Sequence, residues 1–195
     1  MTERLDAQIA FLNEADRLKS VVRGTTLCDA SRRENSAEHS WHLSLYALVL
    51  ADQAGPEVDI DRVIRMLILH DLVEIDAGDT PIFATYDAAD VAAREQKAAD
   101  RIFGLLPDDI ARDLRGIWEE FEAAETPAAQ FAKSLDRFQP PMQNLRSGGG
   151  SWVDYDVRFQ DVEQKVGAKI AIGAPALWDY ARGLIVDWFT RNNRG

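Results

Sequence analysis

Hydrophobic residues recur along this chain at helical spacing, and no convincing run alternates at the two-residue spacing of a strand. Ile9, Leu12 and the pair Leu18 and Val21 predict a first helix. In "ASRRENSAEHSWHLSLYALVLADQAGP" a capping box is legible, with Asn35 as N-cap and Glu38 three residues later. The helix it opens is expected to run to about Gln53, before Gly55 and Pro56. Asp59 caps the next, whose apolar positions are Ile60, Val63, Ile64, Leu67 and Ile68. Met66 and Leu69 widen that face, so burial on most sides is predicted. Gly78 and Pro81 frame a loop, and an amphipathic helix follows from about Asp87 to Phe103. Pro107 starts another, and Thr126–Pro127 starts one that carries Phe131, Leu135 and Phe138. That helix meets Pro140 and Pro141, where it either ends or kinks. "RSGGGS" reads as a flexible loop, and two helices, roughly 154–172 and 175–191, finish the chain. The fold class expected is all-α.

Composition narrows the class of protein. A length of 195 residues, close to half of them apolar, fits one domain with a real core. No apolar run approaches the ~20 residues of a membrane span. The segment "MTERLDAQIAFLNEADRLKS" reads as amphipathic and charged, unlike a signal peptide. With one cysteine, Cys28, this points to a cytoplasmic protein. A formal net charge of −11 argues against non-specific binding to nucleic acid or to an anionic membrane. A small anionic substrate stays compatible, because an arginine or a metal reverses the field inside one pocket. Only three histidines are present, His39, His42 and His70, which excludes a histidine-rich binuclear centre.

The chemistry gathers in "LILHDLVEIDAGDTPI", Leu67 to Ile82, where an apolar helix stops at a histidine and a series of acids. Ionisable groups at core positions are costly unless paired or bound to a metal. His70 and Asp71 stand ~100° apart around a helix, and Glu74 shares their face. Imidazole and carboxylate suit a divalent transition metal. The ordinary alternative for this pair alone is a buried histidine bonded to its neighbouring acid. Two more ionisable groups occupy otherwise apolar positions: His39 in "NSAEHSWH" and Asp136 in "FAKSLDRFQ".

The order H…HD…D on three helices resembles the HD-domain metal-dependent phosphohydrolases. The blocks "LKSVVR", "ENSAEHSWHL", "LILHDLVEIDAGDTP", "LLPDDI…LRGIWEEFE" and "AAQFAKSLDRFQPPMQ" look like the 5′-deoxynucleotidase-like branch, over about residues 15–146. The resemblance implies a single HD-domain helical bundle over 1–195. Its metal site lies between core helices, and C-terminal helices 152–191 pack on a core of about 15–146. It implies one divalent ion (Mn, Co, Ni, Fe or Zn rather than Mg) on His39, His70, Asp71 and Asp136. Glu74 would orient water or handle its proton, Asp79 would receive the sugar 3′-hydroxyl, and Arg23 would pair with phosphate. The activity implied is release of phosphate from (deoxy)nucleoside 5′-monophosphates by water, in a homodimer. Another phosphorylated metabolite or an alarmone-type nucleotide is an alternative substrate. A non-catalytic module that senses nucleotide is a third reading. No Gly-Tyr-Pro extension of the cyclic-dinucleotide branch occurs.

Other residues have open readings. Lys133, one turn before Asp136, either faces the phosphate side of the site or packs its stem with a solvated head. Glu38 reads as a cap and Asp76 as solvent-facing. His42 is a core or supporting residue, and Trp41, Trp118 and Trp152 are expected to pack. The relatives have a tryptophan directly after the phosphate-binding arginine, where this chain has Gly24 and Thr25. Weaker discrimination between deoxyribose and ribose follows. Arg32 and Arg33 lie on the same segment and compete with Arg23 for the phosphate role.

Overall fold

Local chemistry at the helix starts sets most of the architecture. The computed structural model describes residues 2–194. Its helices are α1 (Thr2–Ala15), α2 (Ser36–Val49), α3 (Ile60–Leu69), α4 (Glu74–Ala77), α5 (Ala88–Phe103), α6 (Asp108–Ala123), α7 (Pro127–Arg146), α8 (Ser151–Asp154), α9 (Phe159–Val162), α10 (Ala168–Gly173) and α11 (Pro175–Arg191). The capping box at Asn35 forms as expected: its side chain accepts from the Glu38 N–H, and Glu38 reaches back to the Asn35 N–H. Asp59 accepts from the N–H groups of Asp61 and Arg62 at 3.0 and 3.2 Å. Thr126 caps α7, with Pro127 in its first turn.

The core lies where α3 crosses between α2 and α7. Val63, Met66 and Leu67 of α3, Leu43 and Ala47 of α2, and Phe131 and Leu135 of α7 are all fully buried in one cluster. Burying a large aliphatic or aromatic side chain is worth about 1.5–3 kcal/mol, so this junction is rigid enough to hold polar groups in fixed places. On the far side of α7, α10 approaches closely at Gly173, where a Cβ would lie 2.3 Å from the Gln130 carbonyl oxygen. Among the described residues no helix is long and apolar enough to cross a membrane.

Several expectations need correction. The first helix ends at Ala15 and tightens into a 3-10 turn, Asp16–Ser20. It buries Phe11 and Leu18 and leaves Ile9 and Leu12 exposed. The helix after Asn35 stops at Val49, and a separate 3-10 turn covers Ala51–Gln53. Ile68 faces solvent, so α3 is less enclosed than its composition suggests. Helix α7 does not end at Pro140 and Pro141 but continues to Arg146; the missing amides leave the Asp136 and Arg137 carbonyls without helical donors. The predicted helix over 154–172 is broken into α8, a link, α9, a π turn at Glu163–Gly167, and α10. The glycine run before it closes on itself, with the Gly149 N–H on the Asn144 carbonyl at 2.8 Å and left-handed Gly148, Gly149 and Gly150. Trp118 and Trp152 are buried, but Trp41 is 66% exposed, flat against His42.

The sequence pattern also missed a hairpin. Strands β1 (Val22–Thr26) and β2 (Arg33–Asn35) pair antiparallel with an irregular register, Val22 opposite Asn35 and Thr26 opposite Arg33. β2 runs directly into the Asn35 cap of α2. The hairpin therefore lies beside the N-terminus of the helix that carries His39.

Candidate metal centre and its cavity

After Leu69 the α3 backbone tightens into a 3-10 turn, His70–Val73, before the single-turn α4. Gly78, at a φ of 75°, ends α4 and sends the chain into the Asp79–Pro81 loop. This change of pitch brings His70, Asp71, Glu74 and Asp79 to the wall of one cavity of about 290 Å³. His39 projects from α2 and Asp136 from α7, and both are buried.

Three donor groups, His39, His70 and Asp136, have atoms that all lie within 4.8 Å of one another. His39 Nε2 is 3.1 Å from Asp136 Oδ1, and His70 Nε2 is 3.8 Å from the same oxygen. Asp71 lies outside that trio but next to it. Its Oδ1 is 3.0 Å from His70 Nε2, while its Oδ2 accepts from Arg23 Nη1 at 2.8 Å. His70 Nδ1 donates to the Leu67 carbonyl at 2.9 Å. That bond leaves the ring's lone pair on Nε2, an atom buried with no hydrogen-bond partner among the described residues. Burial lowers the His70 pKa, although Asp71 and Asp136 oppose the shift. A neutral imidazole with its lone pair facing two carboxylates is unfavourable by itself. A divalent cation between them resolves it, so this donor set fits a metal.

His39 behaves differently. Burial and Arg23 act against its charge, but Asp136, Glu34 and Asp71 outweigh them and raise its pKa to about 9. Asp136 is disfavoured as an anion by burial, yet Arg137, His39 and His70 hold its carboxyl well below the usual range.

Beside Asp71, Arg23 reaches in from β1 and forms the positive centre of an acidic ring. Its Nη1 lies 3.6 Å from both Glu74 Oε1 and Asp79 Oδ1, in addition to the Asp71 contact. Asp79 Oδ2 accepts the Gly24 N–H at 3.2 Å, which ties the hairpin to the loop. Glu74 accepts from Ser36 Oγ at 2.5 Å. Burial and the Asp71 charge push Glu74 well above the ordinary carboxylate range, against Arg23. Burial raises Asp79 as well, again with Arg23 opposing.

Lys133 lines the same cavity, 3.0 Å from Glu122 Oε1 and 4.0 Å above the Phe121 ring. Arg32 and Arg33 are turned elsewhere: Arg32 forks onto Glu38, and Arg33 bonds Asp154 and the Gly24 carbonyl. Asp76 pairs with Arg101 rather than standing free in solvent. His42 is half-buried and accepts from Gln139 at Nδ1. The cavity is also lined by the apolar and aromatic side chains of Ile82, Phe83, Tyr86, Trp152, Tyr155 and Val166.

Sequence reasoning did not single out Glu34, Ser36 or Gln139. Gln139 follows Asp136 by three residues and shares its helix face, a usable signal. Glu34 sits between arginines and an asparagine in a polar run, and only the strand places it inside. Burial disfavours its charge, but His39, Gln143 and Arg23 keep its carboxyl below the ordinary value.

Known proteins share this arrangement of elements. The chain is 46% identical to a predicted metal-dependent phosphohydrolase from Magnetospirillum magnetotacticum; the match to its crystal structure covers 97% of each chain with a TM-score of 0.91. It is 29% identical over 136 residues to human 5′-deoxynucleotidase HDDC2, covering 69% of this chain and 65%, under two thirds, of the human protein. Identity to 5′-deoxynucleotidase plu3092 of Photorhabdus laumondii is 26% over 148 residues, 71% of this chain and 75% of that protein. Residues 15–178 match the HD domain family, and the chain belongs to it.

Proposed function

We propose that this protein is a metal-dependent phosphomonoesterase acting on (deoxy)nucleoside 5′-monophosphates. The observation that carries the reading is the unpartnered His70 Nε2 in the cavity wall, aimed at Asp71 and Asp136, with the buried His39 beside them. His39, His70, Asp71 and Asp136 are the residues that would hold the ion. Two imidazoles and two carboxylates favour Mn, Co, Ni, Fe or Zn over Mg. When bound, the ion supplies Lewis acidity, lowering the pKa of water and offsetting charge on phosphorus.

The remaining work falls to this chain's own groups. Glu74 is a buried carboxylate whose raised pKa suits it to take a proton from water, and Ser36 fixes its orientation. Arg23 offers a planar fork for phosphate oxygens, and Lys133 supplies a second cation on the cavity wall. Asp79 is the acceptor for the sugar 3′-hydroxyl. Aromatic lining residues such as Phe83, Tyr86 and Tyr155 suit the nucleoside, and the cavity size suits a mononucleotide. The exposed face of α2, with Trp41, Leu48 and Val49, supports a homodimer, which sedimentation at micromolar concentration checks against a monomer mass. A cytoplasmic location accords with the single exposed Cys28 and is checked by fractionation.

Phosphate release by protein loaded with Mn²⁺ or Co²⁺ tests the activity across a panel of phosphate esters. Turnover of dAMP and AMP is expected. Release from other phosphorylated metabolites alone, or tight nucleotide binding with no release, would overturn the assignment.

A further inference from the structure

Glu34 is 1% exposed, yet no step of the proposed chemistry uses it. Its side chain meets groups from α7, α2 and β1. Oε1 accepts from Gln139 Nε2 at 3.0 Å and from Gln143 Nε2 at 2.9 Å. Oε2 lies 3.3 Å from His39 Nδ1 and 3.9 Å from Arg23 Nε, without a hydrogen bond of its own. We propose that Glu34 is a positioning residue that acts through Gln139 to hold His39 with its Nε2 lone pair presented to the metal. The inference rests on reading His39 as a ligand.

The donor inventory forces the chain of orientations. An ionised carboxylate only accepts, so Gln139 must turn its amide nitrogen toward Glu34. The second hydrogen on that nitrogen faces His42 Nδ1, 3.1 Å away. The amide oxygen of Gln139 is then left 3.1 Å from His39 Nδ1. A carbonyl oxygen accepts, so Nδ1 must carry a hydrogen. A neutral His39 with Nδ1 protonated has its lone pair on Nε2, the atom 3.1 Å from Asp136 Oδ1. One buried charge therefore selects the tautomer of a ligand it does not replace. The Glu34→Gln substitution keeps the shape but brings an amide that both donates and accepts. Gln139 can then flip, and the His39 tautomer is no longer determined.

The test is direct titration of metal-free protein with Co²⁺, followed by its visible absorption and by calorimetry. Wild type is expected to take up Co²⁺ near stoichiometrically. Glu34→Gln should bind it ~10–100-fold more weakly with an altered visible band, the usual cost of losing a partner behind a ligating histidine. Gln139→Met should lose a similar amount, and the double variant no more than the larger single loss, because both act along one path. Circular dichroism should show the wild-type helical content in each. Glu34→Gln with Co²⁺ affinity within twofold of wild type and an unchanged band would overturn the inference. If Glu34→Gln does not fold, Gln139→Met decides alone, and wild-type affinity there overturns it. Wild type that takes up no Co²⁺ would overturn the metal reading itself, and this inference with it.

Discussion

Loading the metal-free protein with a divalent ion should expel a proton from His39. Its Nε2 faces Asp136 Oδ1 at 3.1 Å, and its pKa is raised to about 9. The same nitrogen must be bare to bind a metal. At pH 7 a group of pKa about 9 is almost fully protonated, so about one proton leaves per ion; at pH 9 the release falls to about half. Apparent metal affinity should therefore weaken ~10-fold for each pH unit below 9. The same shift gives the metal-free fold a pH-dependent stability. The folded pKa lies above the ordinary 6.5, so the contribution is full below pH 6.5 and is lost as pH rises through 9. The gap corresponds to ~3 kcal/mol. Calorimetric titration in buffers of different ionisation enthalpy, such as Tris and HEPES at pH 7.5, counts the protons. Glu74 is also raised and can add to the count, so the Glu74→Gln protein gives the cleaner value. Binding enthalpies identical in both buffers would refute the argument, because they would mean that His39 is already neutral.

His70→Ala and Asp71→Ala should each abolish stoichiometric metal and turnover while circular dichroism stays helical; one full equivalent of metal by elemental analysis in either variant would break the ligand assignment. Glu74→Ala should retain metal and substrate affinity and lower kcat by ~10²–10⁴, the range for a positioned acid or base; loss of metal would instead make Glu74 a ligand. Gly24 has no side chain to set against the sugar and Trp41 is outside the cavity, so kcat/KM for dAMP and AMP should differ by less than ~100-fold, or ~2.7 kcal/mol. 3′-AMP should be a poor substrate, and equal turnover of 3′-AMP would remove Asp79 from the sugar site.

The parts of this fold that were legible in the sequence are those decided within a few residues. Asn35 with Glu38 and Asp59 cap the helices they were expected to cap, and Asp87 and Thr126 cap helices expected to begin about there, because a cap needs only its own turn. His39, His70 and Asp136 stood out because an ionisable group at a core position is conspicuous wherever the fold puts it, and the structure brings their donor atoms together. What depended on distant partners was not visible. Three arginines, Arg23, Arg32 and Arg33, compete in one polar segment, and only pairing of two short strands turns Arg23 inward. The strands have five and three residues, too short for alternation to register. The π turn at Glu163–Gly167 likewise answers to tertiary packing: Gly167 lies against Trp178, with no room for a Cβ.

The hairpin explains why an apolar helix can end in so many acids. Asp71, Glu74 and Asp79 follow one another within nine residues and all face one cavity, a self-repelling arrangement. Burial, with repulsion among them added to it, raises Glu74 and Asp79. A single guanidinium, placed by β1 within 3.6 Å of all three, offsets part of that field. Glu34, on the paired strand, lies 3.9 Å from the other side of the same guanidinium and 3.3 Å from His39. The two strands thus deliver one cation to the acids and one anion to the histidine. Each sign of charge has its counterpart across the site, and the Asn35 cap fixes both strands to the helix that carries His39. A cavity wired this way still holds more carboxylates than cations. On the proposed reading, affinity for a phosphate dianion would then depend on the ion that His39, His70, Asp71 and Asp136 would hold, because the protein's own charges do not reverse the field alone.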